Sequence, residues 1–139
     1  MRGRRPRGQE ARLLPAWHDG PVTDLDLDGL LAVCASLPAA ELSHPFGPEL
    51  AVAKVRGKVF AIVPVDQPVL SATLKAAPEH GEALRRAHPE VTPGWHMDKR
   101  HWITVRLDGA LDRVAVEDLV ANSWDQVVAG LPRDRRPLA

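Results

Sequence analysis

The 139-residue chain has a single cysteine, no net charge and no long apolar run, and each lack excludes something. A lone thiol, Cys34, rules out an internal disulfide framework and fits a reducing compartment, so a cytoplasmic setting is expected. No stretch approaches the roughly 20 apolar residues of a membrane-spanning helix, so no membrane partner is expected. The Arg-rich start leads into no apolar h-region, which argues against a secretory signal. Internal repeats are missing too, as are a G-x-S-x-G elbow, a G-x-x-x-x-G-K-[ST] loop and a G-x-G-x-x-G turn.

What is present is the composition of a globular domain, 45% hydrophobic and 26% charged, at a length that buries a core without staples. The zero net charge conceals a segregation. Residues 1–20 balance at +3, the stretch from Arg133 at +2 and the body between them at −5. Inside that acidic body, residues 54–106 hold nine basic and five acidic side chains. A locally positive surface on an acidic body matters more to an anionic partner than the total does. The expected organisation is a flexible Arg-rich segment over 1–22, a domain over 23–132 and a short basic tail over 133–139. A monomer is expected rather than an obligate oligomer.

Along the chain, Leu27, Leu30, Leu31, Cys34 and Leu37 recur at helical steps, with Asp26 or Thr23 as cap and Pro38 as stop. Cys34 lies on that stripe and reads as a small buried hydrophobe. Three strand-like runs follow, at 50–56, 58–65 and 69–75. The first two meet at Gly57, a hairpin signal because glycine takes positive φ freely. Pro78 opens a short helix through Ala87. Residues 101–107 read as a strand, and 114–130 as a last helix ended by Gly130 and Pro132. Strands joined by short turns, with helices grouped around them, predict an α+β two-layer sandwich: an antiparallel sheet with helices on one face. The polar alternates Lys54, Ser71, Thr73, Lys75, Thr104 and Arg106, with Trp102, are expected on an open, solvated face.

The densest chemistry lies in Pro93–Leu107, with two histidines, three cations and two tryptophans. Catalysis there would need a nucleophile within reach of His96 or His101 and an acid behind it; none stands out, so no catalytic residue and no enzymatic activity are expected. His96 and His101 lack the spacing of a helical zinc motif, His44 adds no recognisable third ligand, and no metal or cofactor is expected. Nucleic acid is the stronger reading. Lys99 and Arg100 precede a strand, Arg56 and Lys58 flank a hairpin tip, and Trp102 stands close by. Cations at a hairpin tip can lie along phosphates, and an exposed indole can stack on an unpaired base. Against this stand the acidic body, Asp98 inside the basic loop, and the ordinary fate of charges beside a turn, which is solvation. The rival is a protein- or small-ligand-binding adaptor using the same face, or a cleft formed by His44, Trp95, His96 and His101.

Several blocks carry a family likeness: His44-Pro45-Phe46-Gly47; Lys54-Val55 with Gly57-Lys58 and Phe60-Ala61; Leu74-Lys75 ahead of Pro78; Pro93-Gly94-Trp95-His96-Met97 with Lys99-Arg100-His101-Trp102 and Thr104-Val105; and Ser123 with Val127 to Pro132. From about Asp26 to Pro132 the chain resembles the MmcQ/YjbR family. The resemblance implies the order α-β-β-β-α-β-β-α, with an additional strand near Trp95–Met97. It also implies a double-wing, DNA-binding-type protein. Contacts would come from Lys54, Arg56, Lys58, Lys75, Lys99, Arg100 and Arg106, with Trp102 nearby. Three departures bear on it. Asp98 stands where Asn is usual and weakens the positive field. Trp95 replaces Tyr. Ala77 replaces an Asp before Pro78, removing a helix cap worth about 1 kcal/mol.

Overall fold

The patterns resolve, in a computed structural model that describes residues 25–94, 97–109 and 111–137, into six antiparallel strands backed by three helices. Helix α1 (Leu27–Ala35) starts where the Asp26 carboxylate accepts from Gly29 N at 2.8 Å. Strands β1 (Ala40–Ser43), β2 (Leu50–Val55), β3 (Lys58–Pro64) and β4 (Ser71–Lys75) follow. Helix α2 (Pro78–Ala87) has Pro78 in its first turn, and Ala77 gives it no side-chain cap. Then come β5 (Val91–Pro93), β6 (Trp102–Arg106) and α3 (Arg113–Ala129), the last capped by Asp112 through Ala115 N at 2.9 Å. No described helix is long and apolar enough to cross a membrane.

The sheet order is β1-β2-β3-β4-β6-β5. The expected two-layer α+β architecture is present, with one strand more than expected. Strand β1 has only four residues, three of them exposed, so it carries no alternation to read. The additional strand beside β6 is described at Val91–Pro93; Trp95 and His96, its expected place, are outside the described residues. It closes one edge with a proline, which a sheet tolerates only where no ladder partner is needed.

The core fills the space between sheet and helices. Leu30, Cys34, Val55, Phe60, Leu74, Ile103, Val105, Val116 and Val120 are all within a percent of full burial. Burial pushes the Cys34 thiol up to about 11, so it is a packed apolar group and not a nucleophile. All three helices lie on this side: α3 over β3 and β4, α1 against α3, and α2 with Gly81 against Ile103.

The other face departs from expectation. Its cross-strand row runs Ser43, Val52, Ile62, Thr73, Thr104 and Thr92. Val52 is 0%, Ile62 8% and Thr73 2% exposed, so the middle of this face is buried and partly apolar rather than wet. Of the polar alternates expected on it, only Arg106 is exposed; Lys54, Ser71, Lys75, Trp102 and Thr104 are half-buried. Strands β2 and β3 are almost continuously apolar, and a continuous run does not announce that both its faces are covered.

Candidate nucleic-acid interface

Strand direction sorts the charged residues into two groups. Because β2 runs into β3 through the turn at Arg56–Gly57, that hairpin tip marks one end of the sheet. Lys75, closing β4, pairs with Trp102, opening β6, at the same end. The loop 97–101 leads directly into Trp102, and α3 finishes there, tied through Arg135 to the hairpin. Lys54, Arg56, Lys58, Lys75, Lys99, Arg100 and Trp102 therefore gather at one end, and Arg133, Arg135 and Arg136 join them.

Two predicted residues do not. Arg106 closes β6 at the far end, and its guanidinium is held by Asp108 at 3.2 Å. Removing it from the contact set follows from strand polarity alone. His44 follows β1 at that far end too, four strands from β6. At about 4.8 Å per strand, roughly 19 Å of sheet separates it from the His101 column. The cleft joining His44 with His101 is not formed. Trp95 and His96 lie outside the described residues. Among the described residues no three His, Cys, Asp or Glu side chains gather as a metal site.

The hairpin tip is tight. Arg56 (φ 51°) and Gly57 (φ 80°) both lie in the left-handed region, as a two-residue type I′ turn requires. A glycine adopts that conformation freely, whereas an arginine carries a steric cost of about 1 kcal/mol there. Asn is the usual occupant of the first position, so a cation has been placed where backbone preference alone selects against it. Its Nε donates to the Arg135 carbonyl at 3.1 Å, and the Arg135 guanidinium reaches back to the Arg56 carbonyl at 3.5 Å.

The segment after α3, expected as a tail, is folded at its start. A 3₁₀ turn spans Arg133–Arg135. Arg136 donates to the Ala129 and Leu131 carbonyls at 2.9 Å each, opposing the negative end of the α3 dipole. Sequence reasoning passed over these arginines because their composition is that of a solvated terminus. The signal available was the helix stop at Gly130 followed by cations, the ordinary chemistry of a C-cap.

Among the described residues, Lys54, Arg56, Lys58, Lys75, Lys99 and Arg100 form no ion pair. Asp98, the acid inside the basic loop, stays exposed but folds back onto its own loop. Its carboxylate accepts from Arg100 N and from His101 Nδ1, both at 2.9 Å. Those two contacts, the backbone one foremost, hold its carboxyl below the usual carboxylate range. Asp98 is therefore a turn-former that shapes the loop, at the cost of one negative charge among the cations.

Behind this end sits a cavity of about 320 Å³ lined by Lys58, Val59, Lys75, Trp102, Val127, Gly130 and Leu131. Its lysine wall is fixed from behind by Ser123, which is fully buried. The Ser123 hydroxyl donates to the Phe60 carbonyl and accepts from Lys75 N at 2.8 Å.

Comparison with known proteins fits this architecture. The YjbR family model matches residues 35–126. An uncharacterised protein of Escherichia coli O157:H7, YbdF, is 37% identical over 97 residues, 70% of this chain and 80% of that protein. The uncharacterised YjbR of Escherichia coli K12 is 36% identical over 114 residues, 82% of this chain and 97% of its own length. Among solved structures, the Deinococcus radiodurans protein DR2400, described as a DUF419 domain, superposes with a TM-score of 0.75 at 36% identity, covering 79% of this chain and 84% of that one. A Pseudomonas syringae protein gives 0.62 at 26% identity over 71% of this chain and 96% of its own. None of these names states a ligand or an activity.

Proposed function

The chain belongs to the YjbR family, and from that premise we propose that it is a DNA-binding protein without catalytic chemistry of its own. The contact surface is the hairpin end of the sheet. Lys54, Arg56, Lys58, Lys75, Lys99 and Arg100 meet phosphates there, Arg133 and Arg135 extend the surface, and Trp102 lies behind it. The observation that carries the reading is the collection of these cations, distant in sequence, at one end of the fold with no acid in an ion pair with them among the described residues.

Polyanion binding is the use such a surface supports best. Each phosphate neutralised releases condensed counterions, so affinity grows with the number of cations that reach the backbone together. A strained arginine at the hairpin tip fits the same purpose, since strain that the fold tolerates tends to sit at working positions. Acids do stand near this surface, Glu41 opposite Lys54 in the β1–β2 ladder and Asp98 and Asp134 beside the arginines, and they lower the local potential without forming an ion pair with these cations among the described residues.

The test is fluorescence anisotropy of a labelled DNA duplex with the full chain across about 50–200 mM salt. Steep weakening with salt is expected, reduced in slope when Lys58 or Arg100 is replaced by Ala. Absence of binding at the low-salt end removes the proposal. A small-ligand-binding adaptor is the second reading, favoured by the cavity beside Lys75 and Trp102.

A further inference from the structure

The cavity at the hairpin end combines features that a surface for phosphates alone does not need. Lys58 and Lys75 bring two ammonium groups that no acid pairs among the described residues. Val59, Val127 and Leu131 make the rest of the wall aliphatic, and Trp102 contributes an indole. About 320 Å³ falls within the size range of small-molecule sites, which are mostly apolar with a few placed polar groups.

The helix end that closes the cavity would ordinarily repel an anion, since carbonyls crowd the C-terminus of α3. Here those carbonyls are occupied. Gly130 N donates to Val127 O, Leu131 N to Val128 O, and Arg136 covers Ala129 and Leu131. The lysines therefore set the sign of the field in the cavity.

We infer that this cavity binds a single nucleotide, its base against Trp102 and the aliphatic wall and its phosphate between Lys58 and Lys75. A flat ring joined to an anion is the chemistry that uses every part of the lining. Base–aromatic stacking is tolerant of sequence, and a nearby ammonium fixes the phosphate without dictating the base. The inference deepens the DNA-binding reading and rests on it for one source of the ligand, an unpaired nucleotide in a strand. A free nucleotide is the other source.

The experiment follows the Trp102 indole N–H resonance of the full-length protein, assigned by comparison with Trp102→Phe. Deoxyadenosine monophosphate is titrated to millimolar concentration beside deoxyadenosine and inorganic phosphate. A saturating shift with the nucleotide is expected, with each fragment at least about tenfold weaker. Lys75→Met, which keeps the stem and removes the charge, and Val59→Trp, which fills the space, are each expected to weaken the nucleotide at least about tenfold. No saturating shift overturns the inference, as does equal binding of inorganic phosphate or an unchanged response in both variants. Duplex binding is measured in parallel. If the duplex binds and the nucleotide does not, the cavity site is wrong and the DNA reading stands. If the nucleotide binds and no DNA does, the DNA reading is wrong and the site serves free nucleotide. A single-stranded oligomer that outcompetes both the mononucleotide and the duplex identifies the strand as the source.

Discussion

Phe60 and Lys75 face each other across β3 and β4, and the rung between them is made by a side chain from a third element. The ladder pairs Ile62 with Thr73 and Ala61 with Leu74, and one step further would pair Phe60 with Lys75. Phe60 is the extra residue of a bulge, since Ala53 opposes Ala61 while Lys54 opposes Val59. A bulge bends the strand and disrupts the ladder. The Ser123 hydroxyl of α3 occupies the gap, donating to Phe60 O at 2.5 Å and accepting from Lys75 N at 2.8 Å.

Ser123→Ala is therefore expected to cost more than a surface hydroxyl. It leaves a buried carbonyl and a half-buried N–H without this partner at once, at about 1–3 kcal/mol for a stranded buried group and less for the half-buried one. Urea denaturation of the variant checks this, and a midpoint equal to the parent's would contradict it. Ser123→Thr keeps the hydroxyl but adds a methyl at a site with no exposure, so partial loss is expected there.

The division of cations between the two ends makes a prediction that total charge does not. Lys58→Ala and Arg100→Ala should each lower the log–log salt slope of duplex binding by about one. Arg106→Ala, the same change in net charge, should leave the slope almost unaltered because Arg106 is at the far end and bonded to Asp108. Equal effects from all three would mean that duplex DNA responds to overall charge and not to this surface.

Much of this was legible in the sequence, and the reasons for the rest are local. Pro78 and the Leu27–Leu37 stripe place α1 and α2 because helical periodicity and proline act over a few residues. Strand β1 was not legible, since Ala40–Ser43 is too short and too exposed to alternate. Neither was the burial of Val52 and Ile62, because an unbroken apolar run hides which face each side chain takes. The cationic end was legible as a list of residues but not as a place. Arg106 alternates with Lys75 and Trp102 in every pattern available to a reader, and only the direction of β6 sends it to the opposite end. Ser123 matched the family blocks, yet its role depends on a bulge that no periodicity reports.

Asp98 links loop shape to pH. Its carboxyl is held below the usual range by the Arg100 N–H and by His101, so its contribution is present above the ordinary carboxylate titration and is lost as pH falls through the lowered value. The Arg100 amide resonance should stay put through the range where free aspartates titrate and move only in stronger acid. Asp98→Asn keeps an oxygen for Arg100 N and removes a negative charge from among the cations. Duplex affinity at low salt is expected to rise by a few fold, with a steeper salt slope. Unchanged affinity would place the Asp98 loop outside the contact surface.

Gly94 tests how the cavity's indole is positioned. It donates its N–H to Trp102 O at 2.9 Å, and a Cβ built on it would stand 2.5 Å from the Trp102 Cβ and 2.9 Å from the Trp102 backbone carbon and oxygen. Backbone cannot step aside as a flexible side chain can. Gly94→Ala must therefore push β5 and β6 apart, at the roughly 1–3 kcal/mol typical of an overpacked site. Gly57→Ala is the contrast: nothing lies within 4 Å of its Cβ, and only the positive φ of 80° opposes the methyl. Both variants should lose stability in urea, but for different reasons. Only Gly94→Ala should shift the Trp102 indole resonance, because only there does the added carbon displace the residue that carries the ring. If the resonance moves equally in both, the position of Trp102 is set by the hairpin and not by its contact with Gly94.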